Sequence, residues 1–87
     1  MTPATKGLRV DRSLDARGLE GPVTYRKALE TLKDLKEYEV LELYLDDGDP
    51  LRTIPFGLRA EGHEIVVSEP ANNGVRLLVR KRAPALP

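Results

Sequence analysis

Cysteine is missing from this sequence altogether. Disulfides, thiolate metal sites and thiol nucleophiles are therefore excluded together. Tryptophan and glutamine are missing too, methionine occurs only at position 1, and Asn72 and Asn73 are the only asparagines. Few thermolabile residues beside 32% charged ones point to a thermophilic source. Net charge is absent as well: 14 Lys and Arg meet 14 Asp and Glu. No global field then draws the chain to nucleic acid or to an anionic membrane. No apolar run approaches the roughly 18 residues of a membrane span. The stretch Met1 to Gly7 lacks the apolar core of a signal peptide. A cytoplasmic location is the expectation.

What is present suits a small globular unit. With 87 residues, 40% of them hydrophobic, the chain can bury one core. Residues 1–6 read as a mobile polar leader, 7–82 as a single domain, and 83–87 as a disordered tail. Leu8, Val10, Arg12 and Leu14 share one parity, which predicts a half-buried first strand over 8–15, with Arg12 at an edge. Tyr25, Ala28, Leu29, Leu32 and Leu35 recur at helical spacing and predict an amphipathic helix over 22–36. Tyr25 is assigned to the core rather than to a ligand contact. Leu41, Leu43 and Leu45 alternate with Val40, Glu42 and Tyr44 in a second strand over 39–45, parallel to the first after a helical crossover.

The polar run Asp46 to Pro50 is followed by Leu51, Ile54, Leu58 and Ala60, which suggest a second helix ending at Gly62. Asp49 is expected to cap it, with Pro50 in the first position. Pro55 deprives Leu51 of a helical hydrogen bond, so either the first turn is irregular or regular helix begins at Thr53. His63, Ile65 and Val67 share a parity in a third strand over 64–69. Pro70 to Gly74 is a turn signal, with Asn73-Gly74 its strongest part. Val75, Leu77 and Val79 alternate with Arg76 and Arg80 in a fourth strand, where Leu78 breaks the pattern. The order βαβαββ predicts an α/β (α+β) two-layer sandwich: a four-stranded mixed sheet with two helices on one face.

The stretch Leu14 to Pro22 organises the rest. It reads as a strand end, a turn at Gly18 and a helix start, with Gly21 at the cap and Pro22 at the first helical position. Such a turn aims backbone N–H groups and the positive end of the helix dipole at one point, which favours thiolates, phosphates and carboxylates.

Asp15, Gly18, Leu19 and Pro22 match, in register, the Asp-x-x-Gly-Leu-x-Cys-Pro-x-Pro pattern of the TusA/SirA-like family of small sulfur carriers. Further along, Glu39-Val40-Leu41-Glu42-Leu43 stands where that family has its second strand. Asp46-Asp47, Ile54-Pro55 and Gly62-His63 keep the same register, so the resemblance covers about Val10 to Arg82. Four positions depart. In three of them Gly48 replaces a proline, Thr53 an aspartate, and Thr24 the second proline of the motif. The largest departure is Gly21, which stands where the family carries its persulfide on cysteine. The resemblance therefore implies the fold and an ancestry in sulfur transfer, without the ancestral chemistry.

No other catalytic constellation replaces it. Ser13, Ser68 and the threonines lack a motif for nucleophilic catalysis. His63, the only histidine, is not accompanied by a ligand set for a metal. Asp46, Asp47 and Asp49 lack the further ligands of a calcium loop. The basic run Arg76, Arg80, Lys81 and Arg82 has no aromatic stacking platform for RNA and suits a charged sheet edge. No cofactor, metal or catalytic residue is expected. The expectation is a binding or accessory module of a sulfur-relay or redox system. Its protein partner would dock over Gly21, Pro22, Val23 and Thr24, with Arg17 and His63 as contacts if the fold brings them near. The alternatives are sulfur transfer in which a partner supplies every thiol, or an RNA-contacting module.

Overall fold

A computed structural model describes residues 9–82; of Asp49 to Arg52 it describes the backbone alone. The leader and tail expected from the sequence, and Leu8, lie outside the described residues. The elements are β1 (Arg12–Asp15), α1 (Gly21–Asp34), β2 (Val40–Leu45), α2 (Asp49–Ala60), β3 (Glu64–Ala71) and β4 (Gly74–Arg80). They form a four-stranded sheet in the order β1-β2-β4-β3. The β1–β2 pair is parallel, and β4 runs antiparallel to both β2 and β3. The mixed βαβαββ sheet inferred from the sequence is the one found.

One core explains the parities. Leu41, Leu43 and Leu45 of β2 and Val75, Leu77 and Val79 of β4 point to the helical side. They meet Ala28 and Leu32 of α1 and Ile54 and Leu58 of α2. Each fully buried leucine of this kind contributes on the order of 2 kcal/mol through removal of its surface from water. Leu78, which broke the alternation, belongs to a second cluster on the opposite face with Val40 and Val67. Pairing with β2 on one side and β3 on the other makes β4 an interior strand, so Arg76 and Arg80 do not stand on the sheet edge expected of the basic run.

Several sequence expectations shift. β1 is shorter than 8–15, because regular pairing with β2 begins at Arg12–Leu41; before it, Asp11 N–H donates to the Val40 carbonyl at 2.9 Å. α1 starts at Gly21, so Glu20 and not Gly21 is the capping residue, and the helix ends at Asp34. It stops there because Leu35 turns extended, at φ −82° and ψ 155°. β2 begins at Val40 rather than at Glu39, whose carbonyl instead accepts from Lys81 N–H at 2.8 Å.

α2 begins at Asp49, one residue too early for Asp49 to cap it; the capping position is Gly48, whose φ of 99° suits glycine. Pro55 lies inside α2, and neither alternative for the helix start is realised. Ile54 and Pro55 are both buried, and that apolar burial offsets the hydrogen bond the proline removes. β3 extends to Ala71, past Pro70, which an edge strand tolerates. A bulge separates Ile65 from Val67, so they do not share a face. Ile65 packs on the main core and Val67 on the second cluster. The hairpin turns on Asn72 and Asn73, Asn73 having φ 60°, while Gly74 already pairs with Ala71.

Candidate functional site

The turn between β1 and α1 is tied down residue by residue. Ala16 N–H extends the parallel ladder by donating to the Tyr44 carbonyl at 2.9 Å. Asp15 then accepts from the Arg17 backbone N–H at 3.1 Å and from its Nε at 2.9 Å and Nη2 at 2.7 Å. Those side-chain bonds, more than the charge alone, hold the Asp15 carboxyl down at about 2. The third guanidinium nitrogen donates to the Asn72 carbonyl at 2.8 Å, and the guanidinium carbon lies 5.2 Å from the centre of the Tyr44 ring. Arg17 thus clips the turn to β2 and to the β3–β4 hairpin.

Gly18, at φ 84°, completes the reversal, and its N–H donates to Asp46 Oδ2 at 2.7 Å. The Asp46 carboxylate is thus used by the turn between β1 and α1. Among the described residues no group of three or more His, Asp or Glu is placed to hold a metal.

α1 opens next to this clip. Glu20 makes no side-chain cap hydrogen bond, and the first turn holds no acidic residue. Pro22 has no N–H to give, which leaves Gly21 and Val23 as the amides at the helix head. A β-carbon built on Gly21 meets nothing within 4 Å. Residue 21 therefore faces open space at the positive end of a 14-residue helix.

Thr24 is different. It is 1% exposed, its N–H is used by the Glu20 carbonyl at 2.9 Å, and its Oγ1 has no hydrogen-bond partner. The proline-to-threonine departure has placed a hydroxyl in the protein interior rather than at the exposed helix head.

The six residues singled out from sequence divide accordingly. Arg17, Gly21, Pro22 and Val23 gather at the carboxyl end of β1. His63 does not join them. It precedes Glu64, which pairs with Arg80 at the far end of β3 from the Ala71–Gly74 pair beside Arg17. Eight residues of strand separate the two ends, roughly 23 Å at the usual rise.

His63 stands instead with Tyr25, Leu29 and Lys81 in an open groove of about 600 Å³. Its Nδ1 accepts from the Arg82 backbone N–H at 3.4 Å. Burial lowers its pKa, and the neighbouring Lys81 charge lowers it further, against the opposing pull of Glu61.

The basic run is largely spent on ion pairs. Arg76 binds Glu42 at 2.6 Å and Glu69 at 2.8 Å, while Arg80 and Arg82 share Glu64 at 3.2 Å each. Burial pushes the Glu42 carboxyl up, but hydrogen bonds from Arg76, Ser13 and Tyr44 bring it below the ordinary value. Lys81 donates to the Lys33 carbonyl at 3.1 Å and the Leu35 carbonyl at 2.5 Å. It thereby closes the C-terminus of α1, where a cation is favoured. Sequence reasoning missed the roles of Asp46 and Lys81, since both partners lie far along the chain.

A two-layer α+β domain with an open strand-to-helix turn is the class defined so far. Comparison with known proteins sharpens it. The family described as "Sulfurtransferase TusA" matches residues 12–81, and the chain belongs to that family. It is 34% identical over 68 residues to "Putative sulfur carrier protein YrkF" of Bacillus subtilis (strain 168), over 78% of this chain and 37% of that protein. Two proteins of Archaeoglobus fulgidus named "Putative sulfur carrier protein" are also similar. One is 25% identical over 79 residues, 90% of each chain; the other is 31% identical over 68 residues, 78% of this chain and 93% of that one. The chain thus spans little more than a third of YrkF and nine-tenths or more of the archaeal relatives. No helix among the described residues is long and apolar enough to cross a membrane.

Proposed function

We propose that this chain is a non-catalytic binding or accessory module in a sulfur-relay or redox system, docking a protein partner over the start of α1. The observation that carries the reading is residue 21. The family's cysteine position is occupied by glycine, opens onto free space, and has no thiol anywhere in the chain to substitute for it. A persulfide needs a sulfur to hold it, so what remains at this place is a surface: exposed Pro22, half-buried Gly21 and Val23, and the Arg17 clip beside them. The helix head adds an orienting contact for a partner's carboxylate, worth about 0.3–1 kcal/mol when exposed.

Two measurements test this. After incubation with a persulfide donor, the intact chain is expected to gain no mass; a stable addition of one sulfur overturns the non-catalytic reading. In a pull-down, Gly21→Glu adds bulk and negative charge at the helix head. Loss of the partner with the fold preserved supports docking there, and unchanged recovery overturns it.

A second reading has support from the same open space. A thiol or persulfide belonging to a partner has room to approach the helix head, so the chain would assist transfer between two other proteins. It predicts faster sulfur transfer from a persulfidated donor to an acceptor when the chain is added, with no mass gain on the chain itself. The RNA-contacting alternative draws only on the basic run, whose three arginines are paired with Glu42, Glu69 and Glu64. A salt-dependent mobility shift with RNA is its test.

A further inference from the structure

We propose that the groove between α1 and the segments at the start of β3 and the end of β4 binds a small organic anion with an apolar body, a monocarboxylate carrying an aromatic ring or an aliphatic chain. The groove encloses about 600 Å³, within the roughly 300–1,000 Å³ usual for small-molecule sites.

Its apolar wall is Tyr25 and Leu29, one helical turn apart and packed on the main core. The Tyr25 ring is held in place: its hydroxyl donates to the Gly57 carbonyl at 3.2 Å, and the ring lies where a side chain on Gly57 would stand. A wall fixed before the ligand arrives reduces the ordering that binding requires.

The charged rim favours an anion. Arg26 and Lys33 are exposed, line the groove, and have no ion pair among the described residues. Lys81 is positioned by its bonds to the Lys33 and Leu35 carbonyls, which direct its ammonium without neutralising it. Arg82 also lines the groove, though it shares Glu64 and lies 5.6 Å from the Tyr38 ring centre. Glu30 and Glu61 are the carboxylates among the lining residues, so cations outnumber them. His63 adds a polar contact without adding charge. Its Nδ1 is occupied by the Arg82 N–H, which places its proton on Nε2 as a donor, and burial favours the neutral ring.

Apolar wall, excess cation and one neutral donor together select a carboxylate attached to a hydrophobic body, and select against a cation of the same shape. The groove begins one turn beyond Gly21 and runs toward the opposite end of the sheet, so the inference does not depend on docking at the helix head.

The test uses the full chain, labelled with ¹⁵N and followed by NMR, titrated separately with 4-phenylbutyrate, its primary amide and the matching primary amine. The expected result is saturable movement of the Leu29, Lys33 and Lys81 amides and of the His63 ring. Binding should fall in the order carboxylate, amide, amine. The exposed double variant Arg26→Glu/Lys33→Glu should keep its spectrum and bind the carboxylate about tenfold more weakly. Equal binding of all three probes, no saturable shift at millimolar probe, or shifts centred on Gly21 to Val23 would each overturn the proposal. Saturation by an acidic leucine-rich peptide but not by 4-phenylbutyrate would also overturn it, and assign the groove to a protein segment.

Discussion

The Tyr25 ring fills the space that a side chain on Gly57 would need: a β-carbon there would stand 2.6 Å from Cε1 of the ring. This contact joins α1 to α2 and shapes the wall of the groove. Gly57→Ala gains helix propensity of up to about 1 kcal/mol but must displace the ring and its hydrogen bond. A net loss of about 1 kcal/mol is expected in urea unfolding. In a Tyr25→Ala background the same substitution should become stabilising, because only the propensity gain is left. The same sign in both backgrounds would show that the contact does not limit residue 57.

Thr24→Val tests the buried hydroxyl. Oγ1 has lost water and gained no partner, and valine keeps the shape of the side chain. A stabilisation of about 1 kcal/mol is expected, read as a higher urea midpoint with unchanged slope. A loss of stability would mean that the hydroxyl has a partner after all.

Gly74→Ala sets backbone against side chain. A β-carbon on Gly74 would collide with the Leu45 carbonyl oxygen, and neither strand can move without breaking the β2–β4 ladder. A cost on the order of 2 kcal/mol or more is expected in thermal or urea unfolding. A neutral result would mean that the two strands separate more readily than their register implies.

The Asp15–Arg17 pair predicts an acid dependence. The Asp15 carboxyl is lowered from 3.8 to about 2, so the unfolded chain binds a proton more readily than the folded one. Its stabilising contribution is complete above the unfolded value and is lost as pH falls through the folded one, between about 4 and 2. Carboxyl NMR titration should place Asp15 near 2 and, in Arg17→Leu, back toward its ordinary value. An unmoved Asp15 titration in that variant would refute the assignment.

Gly21→Cys tests the electrostatic environment of the helix head. Nothing stands within 4 Å of the new β-carbon, so stability should change by no more than about 0.5 kcal/mol. The helix head should lower the thiol pKa from about 8.5 toward 7. Alkylation rate against pH, compared with Glu30→Cys on the exposed side of α1, is the measurement. Equal pKa values at the two positions would show that the helix head exerts no such effect.

The sequence alone determined the element order and most of the core. The alternation of Leu41, Leu43 and Leu45, the matching parity in Val75, Leu77 and Val79, and the helical spacing of Ala28, Leu32 and Leu35 are local periods, and local periods need no partner to be read. The glycine in place of the family cysteine was equally plain, because it follows from residue identity at a motif position.

What only the tertiary structure decided were relations across long stretches of chain. One extra residue between Ile65 and Val67 sends them to opposite faces, a consequence of pairing with β4 rather than of any pattern in β3. Arg17 closes on Asn72, Gly18 on Asp46 and Lys81 on the end of α1 because the sheet order brings those segments together. The same order carries His63 away from Gly21, into a groove with Tyr25 and Lys81. Local pattern states which face a side chain prefers, whereas strand order and register state which distant side chain it meets there.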